Sequence, residues 1–219
     1  MSNHHRHSHH QDQANGGSAM RAIRLQTEYL TEPLGLGIAA PRLSWNCEDG
    51  VEQTAYRIIA TRKGETIWDS GKVASSSMTY IAWGGQPLHS RERIEWIVTL
   101  WDEKDIEGEA ASSWFELGLL QSADWTAKWI SGSYKPNKKQ RCPVDCFRKH
   151  FSAHKEIVSA RLYATARGVY DVTINGTRIE DFILAPGMTD YRKRIQYQTY
   201  DVTDLLQKEN TLELRVADG

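Results

Sequence analysis

The chain has 219 residues, enough for one large or two small domains, and its 27 Lys and Arg almost cancel its 28 Asp and Glu. That balance supplies no field to draw a nucleic-acid backbone or an anionic membrane surface, so neither is an expected partner. Three cysteines cannot form a full disulfide framework, no apolar run approaches a membrane span, and the start lacks the pattern of a secretory signal; the expected location is cytoplasmic.

The opening twenty residues hold His4, His5, His7, His9 and His10 among Gly, Ser and Gln. Such a run cannot bury a core, and a disordered tail or tag is favoured over opportunistic metal chelation. From Arg21 to Glu116, short β-branched and aromatic runs alternate with Gly, Pro, Asn and Asp. Strands are expected at Ala22 to Gln26, Gln53 to Thr61, Thr66 to Ser70, Met78 to Ala82, Arg93 to Asp102 and Ser113 to Leu117. In the fifth run Ile94, Trp96, Val98 and Leu100 alternate with Arg93, Glu95, Thr99 and Trp101, apart from Ile97. About seven strands in a hundred residues predict an immunoglobulin-like or fibronectin-like sandwich over residues 21–120. The polar joint Gln121-Ser122-Ala123-Asp124 marks the expected boundary.

The second domain, residues 125–219, is expected to be β as well, with strands near Cys146 to Ser152, Ser159 to Thr165, Gly168 to Ile174, Thr177 to Ile183, Gln196 to Asp201 and Thr211 to Val216. Asn175-Gly176 between two alternating runs predicts a type I′ hairpin turn. Thr203 is placed to cap a single helical turn. Trp45, Trp68, Trp96 and Trp129 sit in strand-like contexts and are expected in the cores. Some five or six strands fall short of a closed eight-strand jelly roll, so an incomplete jelly-roll sandwich with an exposed edge is expected, prone to poor solubility or pairing.

An ordered set of short motifs runs along the chain: Glu32-Pro33-Leu34-Gly35, Pro41-Arg42-Leu43-Ser44-Trp45, Trp68-Asp69-Ser70-Gly71 and Phe115-Glu116-Leu117-Gly118 in the first half; Lys128-Trp129-Ile130, Ala164-Thr165-Ala166-Arg167-Gly168-Val169-Tyr170, Leu184-Ala185-Pro186-Gly187-Met188-Thr189-Asp190-Tyr191 and Tyr197-Gln198-Thr199-Tyr200-Asp201-Val202-Thr203 in the second. Together they resemble the front end of the bacterial α-L-rhamnosidases, in which a fibronectin-like domain and a jelly-roll domain precede an α/α-barrel. The resemblance implies that the parent protein hydrolyses terminal α-L-rhamnose with inversion, using two carboxyl groups about 6.5 to 9.5 Å apart. In that family both acids belong to the barrel, so no catalytic residue is expected here, and this chain alone is expected to be inactive. The implied partners are a rhamnose-containing glycoside or oligosaccharide and the catalytic barrel.

Tyr191 and Tyr197 beside the basic run Arg192-Lys193-Arg194 could stack on a sugar and bond its hydroxyls, against the alternative of inward-packed tyrosines on a solvated edge. Asp181 and Asp190, near carbonyl-rich turns, are candidate oxygen ligands for calcium, against turn and cap roles. No cofactor is required on this reading. His150 and His154 are expected at the surface, since they flank a strand end and share no helical face. A carbohydrate-binding module or a purely structural β-sandwich are the competing functional readings.

Overall fold

The computed structural model describes residues 19–132, 144–179 and 197–217. The backbone divides into two compact units, the first comprising Met1–Pro33, Ala40–Leu88 and Arg93–Phe115, the second Leu34–Ala39, His89–Glu92 and Glu116–Gly219.

Seven strands precede residue 118: β1 (Arg21–Thr27), β2 (Leu34–Leu36), β3 (Leu43–Glu48), β4 (Ala55–Arg62), β5 (Glu65–Asp69), β6 (Arg93–Trp101) and β7 (Ala111–Leu117). In the first unit β1 and β3 form one antiparallel layer, with a bulge between Ile23 and Gln26. The order β7-β6-β4-β5 forms the other. The period-2 pattern of β6 decides which face closes the core: Ile94, Trp96, Val98 and Leu100 are each at most 1% exposed, whereas Arg93 and Glu95 face water. Leu43 and Trp45 of the β1/β3 layer are buried with Ile58 and Phe115, and burying side chains of this size stabilises the fold by about 1.5–3 kcal/mol each. Trp45 meets Tyr56 edge to face at 5.2 Å, and its indole N–H donates to buried Gln53 at 2.9 Å.

The expected strand over Met78 to Ala82 does not form. Its segment makes an isolated bridge, Leu43 with Ile81, and one further backbone bond from the Trp45 N–H to Met78 O at 2.9 Å. Tyr80 is the cause: its φ of +51° breaks the extended ladder, and its N–H turns to the Ser44 hydroxyl. The strands β2 and β3 appear where none was expected, and β2, a part of the second unit, pairs there in parallel with Glu116 and Leu117.

The second unit adds β8 (Asp145–Ser152), β9 (Arg161–Ala164), β10 (Val169–Ile174), β11 (Thr177–Arg178), β12 (Gln198–Asp201) and β13 (Glu209–Ala217). A four-stranded sheet runs β11-β10-β13-β8, and β12 pairs with β9. Tyr170, Val172 and Ile174 of β10 are buried with Tyr200 and Val202, and the Tyr170 and Tyr200 hydroxyls lie 3.1 Å apart. Asn175 (φ +51°) and Gly176 (φ +81°) form the predicted positive-φ turn. The Asn175 amide also donates to Leu205 O and Asn210 Oδ1 and accepts from the Thr211 N–H, so the turn is tied into the sheet beyond its own hairpin.

Two expectations fail here. The single helical turn Thr203–Leu205 has Val202 as its N-cap and no side-chain cap. Thr203 instead donates its hydroxyl to Asp201 Oδ1 at 2.6 Å, and Asp201 also accepts the Thr203 N–H; the aspartate two residues earlier reaches forward to the first N–H of the turn and occupies the hydroxyl that was expected to cap it. Trp129 is 58% exposed rather than buried. Residues 126–131 pair with no strand, so no alternation drives the indole inward, and the Arg167 guanidinium covers its ring at 5.2 Å. Trp68 is half-buried, edge to face with Trp83 at 4.9 Å.

Candidate functional site

Of the residues expected to touch sugar, Tyr191 and Arg192 lie outside the described residues, as do the candidate calcium ligands Asp181 and Asp190. Tyr197 is described. Its hydroxyl accepts the Leu119 N–H at 2.8 Å and donates to Leu119 O at 3.2 Å, and its ring meets Trp125 at 5.2 Å and Tyr163 at 6.3 Å. The hydroxyl therefore anchors the backbone entering the second unit.

Around it the second unit builds a polar layer on β9 and β12. Alternation sends Leu162 and Tyr200 to the core and leaves Arg161, Tyr163, Thr199 and Asp201 on the other face. Arg161 forks onto Glu116 at 2.8 and 3.0 Å and reaches Asp201 at 3.0 Å, with Arg161 and Glu116 side chains only 15% and 6% exposed. The Glu116 hydrogen bonds hold the guanidinium above its ordinary pKa, and burial pushes the Tyr163 phenol up. Both groups thus keep their protons near neutral pH, which suits a fixed scaffold and not proton transfer. A Cβ on Gly35 would sit 2.2 Å from Thr199 Oγ1, and its φ of +82° also demands glycine.

The carboxyl groups with a displaced pKa tell the same story. Hydrogen bonds from Arg42 hold Glu28 down, those from Arg57 hold Asp69 at about 2, the Val51 N–H and its neighbours lower Glu103, and the Ser90 hydroxyl lowers Asp124. A glycosidase general acid needs the opposite shift. Among the described residues no group of three or more His, Cys, Asp and Glu side chains is placed to hold a metal ion. His150 bonds Thr211 Oγ1 at 2.8 Å on exposed β8, and His154 is exposed, both at the surface as expected.

A concavity of the first unit lies on the outer face of its larger sheet. A groove of about 340 Å³ is floored by Ile59 and Ile97, cross-strand neighbours on β4 and β6, with Trp114 of β7 beside them. Thr61, Glu95, Ser112 and Glu32 supply its polar rim. Arg93 lies 4.0 Å from the Trp114 ring centre and fixes the indole by a cation–π contact. The sequence carried a trace of this groove in Ile97, the apolar residue that breaks the alternation of β6. A smaller polar recess of about 160 Å³ lies by the β1 bulge, lined by Arg24, Gln26, Asn46 and Tyr80.

Residues 22–121 match the family model for the Rha78A-like, N-terminal immunoglobulin domain, and residues 155–219 match that for the alpha-L-rhamnosidase N-terminal domain. The two matched stretches are thus N-terminal domains of the α-L-rhamnosidase kind. An alpha-L-rhamnosidase of Formosa agariphila is 38% identical over 217 residues, covering 88% of this chain and 23% of that protein. The solved rhamnosidase of Dictyoglumus thermophilum is 33% identical with a TM-score of 0.83, over 92% of this chain and 26% of its own. That of Streptomyces avermitilis, complexed with L-rhamnose, is 28% identical with a TM-score of 0.50, over 91% of this chain and 22% of its own. The chain thus spans about a quarter of the rhamnosidases it resembles.

Proposed function

We propose that the chain is the non-catalytic accessory segment of an enzyme that hydrolyses terminal α-L-rhamnose, a β-sandwich framework that helps shape or position the sugar site of a catalytic barrel. The observation that carries this reading is the pair of family matches, both to N-terminal rhamnosidase domains, within a span of 23% of a full relative. The depressed carboxyl groups agree with it, because none of Glu28, Asp69, Glu103 and Asp124 is set up to donate a proton to a leaving oxygen.

The purified chain is expected to leave p-nitrophenyl α-L-rhamnoside intact, while a longer protein that includes the barrel releases nitrophenol and inverted rhamnose. Turnover by the 219-residue chain above a buffer blank would overturn the reading. A rhamnose-containing glycoside is the substrate class proposed for the whole enzyme. Tyr191, Arg192 and the ring of Tyr197 are the proposed sugar contacts of the second unit, with Asp181 and Asp190 as proposed calcium ligands. Calorimetry with L-rhamnose, with and without calcium, tests both assignments, and absence of heat in either condition rejects them.

A further inference from the structure

We propose that the groove on the outer face of the first unit binds a neutral 6-deoxyhexose. The choice of sugar rests on the rhamnosidase reading; the existence of the site rests on the groove itself. Its volume of about 340 Å³ falls within the range of small-molecule pockets, and its composition has their usual form, an apolar floor with a few polar groups around it.

The chemistry of the lining selects the ligand class. Ile59 and Ile97 stand directly opposite each other across β4 and β6, so their side chains make one continuous apolar patch beside the Trp114 indole. Such a patch receives a methyl group or the C–H face of a ring. Glu32 and Glu95 stand at the rim, and neither side chain, nor those of Thr61 and Ser112, has a hydrogen bond or ion pair among the described residues. Two unpaired carboxylates repel phosphate, sulfate and uronate, yet accept hydrogen bonds from the vicinal hydroxyls of a neutral sugar. A sugar that carries a methyl at C6 fits floor and rim together. Its C6-hydroxylated counterpart would place a hydroxyl against the isoleucines and lose that group's hydrogen bonds to water.

The test titrates the full 219-residue chain, labelled with ¹⁵N, with L-rhamnose and with L-mannose, which differs from it only by a hydroxyl at C6. The Trp114 indole N–H resonance is identified by its loss in Trp114→Phe. Saturable shifts are expected at Trp114, Ile59 and Ile97 with a Kd of about 1 mM, a weak affinity suited to a shallow monosaccharide site. Glu95→Ala, a change at an exposed position that leaves the core intact, is expected to weaken L-rhamnose binding about tenfold, and L-mannose should bind several-fold more weakly than L-rhamnose. Absence of saturable shifts at the groove, shifts indifferent to Glu95→Ala, or equal binding of L-mannose would each overturn the proposal. Rhamnoside hydrolysis by a longer protein with a silent groove refutes the subsite alone. Groove binding without such hydrolysis refutes the enzyme reading alone.

Discussion

Arg161→Ala removes the centre of the polar layer in the second unit. The guanidinium makes two hydrogen bonds to Glu116 at 2.8 and 3.0 Å and a third contact to Asp201 at 3.0 Å. Glu116 is 6% exposed, so the truncation leaves a carboxylate in the interior with its partner gone. Breaking a buried pair from one side costs about 3–5 kcal/mol, because the remaining charge stays desolvated. Asp201 is 56% exposed and regains water when Arg161 is lost, which places the expected loss near about 3 kcal/mol. Urea denaturation of both proteins, with hydrogen exchange at the Leu162 and Tyr200 amides to report the second unit, measures it. Arg161→Met paired with Glu116→Leu should recover most of the loss, since the charge and its partner leave together. A deficit below about 1 kcal/mol in the single variant would equate the pair with a surface salt bridge and refute the argument.

Asn175→Gly keeps the positive φ of the turn yet loses three side-chain hydrogen bonds; a thermal or urea unfolding series should show a loss of about 2 kcal/mol. Gly108→Ala would put a Cβ 1.6 Å from the Met20 carbonyl oxygen, and with backbone on both sides the expected cost is about 1–3 kcal/mol, read from the same denaturation curves. Asp69 has its folded pKa lowered to about 2 from 3.8 by hydrogen bonds from Arg57 and the Gly71 N–H. A depressed carboxyl contributes stability that is complete above the unfolded value and fades as pH falls through the folded one. Asp69→Asn should therefore flatten the stability profile between pH 3.8 and about 2 while leaving its slope near neutrality unchanged. Trp129→Ala should alter stability by no more than about 0.5 kcal/mol, since the indole is exposed, whereas Trp45→Ala should cost about 3–5 kcal/mol.

Local pattern was enough to fix the class of the fold and much of its interior. The alternation in β6 named Ile94, Trp96, Val98 and Leu100 as core because a strand has only two faces, and one of them must be dry. Asn175-Gly176 named its own turn because few residues tolerate positive φ at both positions. The same reasoning misplaced Trp129 and the Met78 to Ala82 strand, since an apolar residue faces inward only where a neighbouring strand supplies a partner, and none does so regularly there. Nor could spacing reveal that Arg161 would meet Glu116, 45 residues earlier, or that Gly35 would be pressed against Thr199. The outer groove is the clearest case: Ile97 was visible only as an irregularity in its own strand. Sequence by itself determined which segments extend and which side chains are driven from water. Tertiary structure alone decided that Ile59, Ile97 and Trp114 share one surface and that Arg161 has a buried acid to answer it, because register between strands distant in the chain brings those groups together.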